Sequence, residues 1–288
     1  MSAKPFDRLL AEQRRRRALA SGAGADFLLA RVADDLGARL SAVERRFGTA
    51  VDLFGATGAV AAAIEGSGRA ERVIRVETDA GWLEGGGIVA DAERLPLAAQ
   101  SVDLAVSAFG LQWVNDLPGV LRGIREALRP DGLLLLALAG GDTLSELRLS
   151  LVEAETELSG GAAPRVAPMV DIRSLGALAQ AAGLALPVCD VERLVVRYDG
   201  ALELMRDLRG MGATSPLAER SRKPLRRAVL MRACEIYAER FADPDGRVRA
   251  TFDILHLSGW APHESQQKPL RPGSARTRLA DVLKPREG

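Results

Sequence analysis

The sequence predicts an α/β fold in which the strands of a parallel sheet alternate with helices. Five short apolar runs of strand length are separated by segments with helical or turn character. Strands that alternate with helices in this way are joined by crossovers and lie parallel in one sheet. The predicted strands are residues 50–54, 73–77, 88–91, 102–107 and 133–139. Because such sheets bind ligands at the carboxyl ends of their strands, functional residues are expected in the loops that follow.

Helices are predicted on both sides of these strands. Residues 26–47 carry apolar side chains at steps of three and four behind Asp26, which is typical of a capped amphipathic helix that packs on a sheet. Thr143 and Glu146 have the spacing of a capping box that opens a helix through about residue 158. Further helices are predicted at residues 171–182, ended by Gly183, and near residues 201–209 and 223–241, with β-rich stretches at 186–198 and 248–258.

Composition excludes some classes of protein. A net charge of +1 with 27% charged residues gives no general attraction to nucleic acid or to a membrane surface. Cys189 and Cys234 lack metal-binding or redox spacing, so we expect reduced thiols and no disulfide. No apolar run approaches the ~20 residues of a spanning helix.

Residues 14–17 are four consecutive arginines. Asp7 and Glu12 interrupt the acid-poor composition of a transit peptide. Successive helical residues point about 100° apart, so the arginines spread around the helix. We therefore favour a solvated helix over a contact with a cofactor or an acidic partner.

Four sequence blocks occur in series between Asp91 and Gly132. They read Asp-Ala-Glu-Arg-Leu-Pro-Leu, Ser-Val-Asp-Leu-Ala-Val-Ser-Ala, Leu-Gln-Trp-Val-Asn-Asp-Leu-Pro and Leu-Arg-Pro-Asp-Gly. In this order the blocks resemble the second half of a class I S-adenosyl-L-methionine (AdoMet) dependent methyltransferase domain. The resemblance implies a Rossmann-like, seven-stranded fold whose last two strands form an antiparallel edge pair. Its Arg-Pro-Asp-Gly block predicts a helix-stopping turn before residue 133.

We expect one structural domain in four parts. Residues 1–48 form an N-terminal helical segment that packs on the core, and residues 49–198 form the methyltransferase-like core. Residues 199–247 are a helical insertion that caps the pocket, and residues 248–288 contain the last strand and a tail. The tail is expected to be loosely ordered from about Gln266.

The resemblance implies that AdoMet binds after the first four strands. Glu77 ends the second strand, where a carboxylate can bind both ribose hydroxyls. Asp91, followed by Ala92, comes after the third strand, where a carboxylate can accept a hydrogen bond from the adenine amino group. Ser107 ends the fourth strand at the reaction pocket.

The loop after the first strand departs from the family pattern, which is acid, aliphatic, Gly, any, Gly, any, Gly. Here the sequence is Asp52, Leu53, Phe54, Gly55, Ala56, Thr57, Gly58, so only the last glycine is in register. Asp52, Gly55, Ala56 and Gly58 are the cofactor candidates of this loop. Because Phe54 places a benzyl group where bare backbone should meet the cofactor, either the turn is rebuilt around Gly55 or the site is impaired.

Candidates for catalysis follow the fourth strand. Trp113 can shape the pocket, whereas Asn115 or Asp116 can cap the helix that begins at Leu117, and we prefer Asp116 as the cap. No general base is evident. Trp113 and Asn115 remain catalytic candidates.

The histidines argue against a metal centre. His256 and His263 are the only two, and neither lies in a metal-binding motif, so no metal ion is predicted. We expect His256 to be a packed histidine on a half-buried strand. His263 lies in a polar loop and is the third catalytic candidate.

Five further blocks identify a narrower resemblance. They are Phe6-Asp-Arg, the block from Leu111 to Pro118, Gly-Gly-Asp-Thr-Leu-Ser-Glu-Leu-Arg from Gly140, Glu-Leu-Met-Arg-Asp-Leu-Arg-Gly-Met-Gly from Glu203, and Gly-Trp-Ala-Pro-His-Glu-Ser-Gln from Gly259. Together they resemble the complex I assembly factor five family over residues 6 to about 280. The resemblance implies an arginine hydroxylase that acts on the iron–sulfur subunit of respiratory complex I during assembly, with peripheral membrane association through that partner.

Two alternatives stay open. One is a conventional methyltransferase acting on a small molecule or a carrier protein, as in the methylation of malonyl carrier protein. The other is a non-catalytic assembly chaperone with a degraded cofactor loop. Because the matched region begins at Phe6, we expect a bacterial protein of the cytoplasm or the inner face of the membrane rather than of the mitochondrial matrix.

Overall fold

The computed structural model describes residues 4–22, 26–83 and 85–267, and its centre is a single mixed sheet. The seven strands are β1 (Phe47–Leu53), β2 (Ala70–Glu77), β3 (Ile88–Val89), β4 (Val102–Ala108), β5 (Leu128–Ala139), β6 (Ala185–Tyr198) and β7 (Val248–Trp260). Their order across the sheet is β3-β2-β1-β4-β5-β7-β6. The first five are joined by parallel pairings, whereas β7 is antiparallel to both β5 and β6. The predicted α/β fold with an antiparallel edge pair is confirmed.

Helices cover both faces of the sheet. They are α1 (Arg8–Ser21), α2 (Phe27–Ser41), α3 (Ala59–Gly66), α4 (Leu117–Ala127), α5 (Ser145–Ser159), α6 (Ile172–Ala181), α7 (Ala201–Gly210) and α8 (Arg227–Phe241). One core layer contains side chains of α2, α3, α5, α7 and α8, and the other contains those of α4 and α6. Neighbouring strand residues such as Leu104 and Ala105 enter opposite layers because strand side chains alternate between faces.

The start of β5 corrects one expectation. The Arg-Pro-Asp-Gly segment was predicted as a turn before the strand, but β5 begins at Leu128 and includes it. The register shifts here, since Val102 pairs with Leu128 and Leu104 with Leu133. Asp131 has a φ of 65°. The segment therefore turns locally as predicted, but it forms a bulge inside a strand, because β5 pairs with β4 both before and after it.

Predicted helix caps had mixed outcomes. Asp116 accepts a hydrogen bond from the Gly119 amide, as its position before Leu117 predicted, and Asp171, where a helix was predicted to begin, caps α6. Asp26 makes no side-chain cap, and α2 ends at Ser41 because Phe47 already belongs to β1.

The predicted capping box at α5 is wrong. The Thr143 hydroxyl donates to the Asp253 carbonyl, and the Glu146 carboxylate accepts from the Thr251 amide and hydroxyl. Both side chains are buried against β7, and they form hydrogen bonds with residues of this strand instead of with the first turn of α5.

Helices α7 and α8 occupy the segment between β6 and β7, where a helical insertion was expected. The division of the chain into four parts remains a prediction, and the tail from residue 268 lies outside the described residues. Within the described part of the chain, no helix is both long enough and apolar enough to cross a membrane.

Candidate cofactor site

A cavity of about 410 Å³ lies at the carboxyl ends of β1, β4 and β5. Pockets for small ligands typically measure about 300–1,000 Å³. Its walls come from the loops after these strands, from α1 and α2, and from the chain after α7. Lining residues include Arg15, Phe54, Ala56, Phe109, Trp113 and Phe252.

The loop after β1 adopts the backbone shape of a glycine-rich turn, although only one of its three left-handed residues is a glycine. Phe54 has a φ of 62°, Ala56 a φ of 57° and Gly58 a φ of 83°. This left-handed region favours glycine, because a Cβ is crowded there. Gly55 is required for another reason, since a Cβ at this position would lie 2.3 Å from Asp52 Oδ1.

The Phe54 ring packs in the core. The residue is 1% exposed and belongs to the layer beneath α4 and α6. Its carbonyl oxygen accepts a hydrogen bond of 3.4 Å from Arg15 Nη2 of α1. The benzyl group therefore lies in the core, and whether this loop binds a cofactor remains a prediction.

Two buried carboxylates lie behind the loop. Glu77 Oε1 accepts a 2.6 Å hydrogen bond from the Ala56 amide. Within the described ranges of the chain, Glu77 Oε2 and both carboxylate oxygens of Asp52 are buried without a hydrogen-bond partner. Arg75 is their nearest cation from within the sheet, with Nε 3.8 Å from Asp52 Oδ2 and Nη2 3.8 Å from Glu77 Oε1. Unpaired buried oxygens are rare in native proteins, and they often mark a binding site.

Burial changes the protonation of this pair. It raises the pKa of Asp52 to about 7, the charge of Glu77 acts in the same direction, and Arg75 opposes both. Burial also raises the pKa of Glu77, against the opposing charge of Arg15. A cationic ligand beside them would favour the ionised carboxylates.

Helix α1 covers this end of the sheet, so the prediction of a solvated arginine helix is wrong. The Arg15 guanidinium lies 3.9 Å from Glu77 Oε2 and 5.3 Å from the centre of the Trp82 ring. Arg16 pairs with Asp79, and the Thr78 hydroxyl donates a 2.6 Å hydrogen bond to the Glu12 carboxylate. The arginines do spread around the helix, but acids after β2 attract those that face the sheet.

The predicted cofactor residues divide into two groups. Asp52, Gly55, Ala56, Gly58 and Glu77 come together at the β1 and β2 ends, where Ala56 lines the cavity and the others lie behind it.

The second group does not line the cavity. The Asp91 carboxylate binds Arg8 of α1 and the Glu93 amide. Ala92 is buried in the core, and the Ser107 hydroxyl donates a 2.7 Å hydrogen bond to the Leu53 carbonyl. The cofactor contacts of both groups remain predictions.

Only one catalytic candidate reaches the cavity. Trp113 lines it and packs edge-on against Phe6, with ring centres 5.2 Å apart. The Asn115 side chain instead holds Phe6, accepting from its amide at 2.8 Å and donating to its carbonyl at 3.3 Å. His263 follows Trp260, which pairs with the amino-terminal half of β5. His263 therefore lies toward the amino-terminal ends of the parallel strands, whereas the cavity lies at their carboxyl ends.

Gln112 is one of the cavity residues that sequence reasoning missed. Gln112 Oε1 accepts a 2.8 Å hydrogen bond from the Ala139 amide, which ties the loop after β4 to the end of β5. Its position in the block after the fourth strand was the available signal.

The comparison with known proteins agrees with this geometry. A family model for a methyltransferase domain matches residues 51–136, which run from the end of β1 through the loop after it to most of β5. This part of the chain is therefore similar to a methyltransferase domain. Among solved structures, the YcgJ protein from Bacillus subtilis superposes with a TM-score of 0.54 at 15% identity, over 79% of this chain and 98% of the other. That similarity supports the fold.

Sequence relatives confirm the narrower resemblance. The mitochondrial arginine-hydroxylase NDUFAF5 of Danio rerio is 44% identical over 197 residues, covering 68% of this chain and 61% of the relative. A malonyl-[acyl-carrier protein] O-methyltransferase of Laribacter hongkongensis is 38% identical over 186 residues, covering 65% of this chain and 60% of the relative. The chain thus spans about three fifths of the length of these relatives.

Proposed function

We propose that this protein binds AdoMet at the β1 and β2 ends and hydroxylates an arginine side chain of a protein partner. The partner is the iron–sulfur subunit of respiratory complex I, modified during assembly in the bacterial cytoplasm or at the inner face of the membrane. Similarity to arginine-hydroxylases supports the reaction. The geometric observation that supports cofactor binding is the buried Glu77 Oε2, which has no hydrogen-bond partner among the described residues and lies beside a loop with left-handed backbone.

The residues present fit AdoMet. Glu77 would accept hydrogen bonds from the ribose hydroxyls, and the backbone of Ala56 and Thr57 would meet the amino-acid part. For Asp91 to meet the adenine, its carboxylate would have to release Arg8. Bound AdoMet supplies a sulfonium charge and an electrophilic methyl group. Because Arg15 covers Glu77 Oε2, ribose binding requires the Arg15 side chain to move.

The cavity walls suit an arginine side chain. Phe109, Trp113 and Phe252 provide apolar surface for its methylene stem and exclude water, and an aromatic face attracts a guanidinium. Hydroxylation replaces an arginine C–H by C–OH with one atom of O₂, and the other atom leaves as water. The balance requires two electrons and two protons, which an external two-electron reductant must supply.

Methyl transfer is the second candidate. The methyltransferase domain match and the identity to carrier-protein methyltransferases favour it. The chaperone alternative depended on a degraded cofactor loop, and two observations weaken that argument: the Phe54 ring is buried in the core, and the loop has left-handed residues where the family pattern has glycines.

Deletion of the gene separates these functions. We expect less assembled complex I, seen on native gels, and an iron–sulfur subunit whose arginine lacks the mass of one oxygen found in the parent strain. A missing methylene would instead support methyl transfer to the subunit. Failed assembly with no mass difference would support a chaperone. Normal assembly and an unchanged subunit mass would contradict any assembly function.

A further inference from the structure

Three side chains from separate elements meet on the face of the sheet that carries α2. They are Asp35 of α2, Glu192 of β6 and His256 of β7. His256 Nε2 lies 3.4 Å from Asp35 Oδ2 and 3.7 Å from Glu192 Oε2. One ligand atom from each residue lies within 4.8 Å of the others. None of the three lines the cofactor cavity.

His256 has unfulfilled hydrogen-bonding capacity. It is 2% exposed, and neither ring nitrogen has a hydrogen-bond partner among the residues that the structure describes. Glu192 Oε2, which faces it, is also buried without a partner. Buried polar atoms normally have hydrogen-bond partners or bind an ion, so these unpaired atoms point to a bound ligand.

Two arginines fix the carboxylates around the histidine. Arg31 donates a 2.7 Å hydrogen bond to Glu192 Oε1, which leaves Oε2 directed at His256. Arg39 donates a 2.6 Å hydrogen bond to Asp35 Oδ2 and also binds Asp190 through two nitrogens. Three carboxylates against two guanidinium groups leave the neighbourhood negative, which favours a cation.

We propose that Asp35, Glu192 and His256 bind a divalent transition-metal ion that joins α2 to the β6–β7 pair. One imidazole nitrogen with two carboxylate oxygens is a ligand set for Zn²⁺ and similar ions. With metal–ligand bonds of ~2.1 Å, the two separations subtend roughly 108° and 124° at the ion, near tetrahedral geometry. The site is independent of the proposed function, and it departs from the metal-free prediction made from sequence motifs.

A direct ion pair between protonated His256 and the two acids is the competing arrangement. Burial lowers the pKa of His256, and Arg39 acts in the same direction, whereas Asp35, Asp190 and Glu192 oppose them. The neutral imidazole that burial favours is the form that binds metal.

The test uses tag-free, chelator-treated full-length protein and Zn²⁺ as the probe. Calorimetry should show one Zn²⁺ per chain, and Zn²⁺ should raise the melting temperature because it binds only the folded site. Imidazole ¹⁵N spectra should show Nε2 of His256 shifted by the metal. His256→Asn should abolish binding, and Glu192→Gln should weaken it by at least about tenfold.

Matched controls come from the chain itself. His263→Ala removes the other, exposed histidine and should leave binding unchanged, as should Cys189→Ser and Cys234→Ser, which remove the two thiols. If His256→Asn fails to fold, Glu192→Gln and the ¹⁵N spectra still decide. The proposal is overturned if the folded protein takes up no stoichiometric Zn²⁺. It is also overturned if the Glu192→Gln variant binds Zn²⁺ with wild-type affinity and Zn²⁺ leaves the His256 resonance of the wild-type protein unshifted.

Discussion

Replacing Asp52 by Asn should remove most of a pH-dependent loss of stability. The Asp52 carboxyl is fully buried, and its pKa rises from 3.8 to about 7 on folding. A shift of this size corresponds to roughly 4 kcal/mol, since each unit is worth about 1.4 kcal/mol. The folded-state pKa lies above the unfolded value, so protonation favours the native state. Its contribution is complete below about pH 4 and is lost as the pH rises through about 7.

Denaturant unfolding between about pH 5 and about pH 8 measures this effect. Wild-type stability should fall over that interval, whereas Asp52→Asn should fall much less and exceed wild type at the alkaline end. Glu77, whose pKa burial also raises, accounts for a residual slope that the added change Glu77→Gln should remove. Asp34→Asn, at an exposed aspartate of α2, is the control and should keep the wild-type slope. An unchanged slope in Asp52→Asn would refute the reasoning.

Four further predictions follow from the site. Glu77→Gln should weaken AdoMet binding in calorimetry by about 1–3 kcal/mol through lost charge-assisted hydrogen bonds; unaltered affinity would remove Glu77 from the ribose site, and no binding in wild type would favour a chaperone. Arg15→Ala should strengthen AdoMet binding several-fold because it uncovers Glu77 Oε2, and weaker binding would make Arg15 a ligand contact. Ala56→Gly should raise the free energy of unfolding by about 1 kcal/mol, because glycine adopts the left-handed conformation without strain. Phe54→Gly gains the same relief but should lower the free energy of unfolding by about 2–4 kcal/mol overall, because losing the buried ring costs more. Asn115→Ala should free Phe6 and its segment, seen as faster amide exchange near the N-terminus with an unchanged core.

Sequence alone determined the parts that depend on local rules. Apolar runs separated by turn residues predicted the five parallel strands, Asp116 caps α4 as its position predicted, and the helix predicted from residue 171 is found as α6. These features depend on neighbours within a few residues, so they are readable without a structure. The order of the blocks from Asp91 to Gly132 indicated a methyltransferase domain, and a family model for that domain matches residues 51–136.

Tertiary structure decided everything that depends on distant partners. The left-handed Phe54 is stable because its ring is buried in the core, which a turn pattern cannot reveal. Arg15 covers Glu77 because α1 crosses the ends of β1 and β2. Asp35 and His256 are brought together only when α2 packs over β7, more than 200 residues along the chain. Side-chain contacts of this range are set by packing of whole elements, and local sequence carries no record of them.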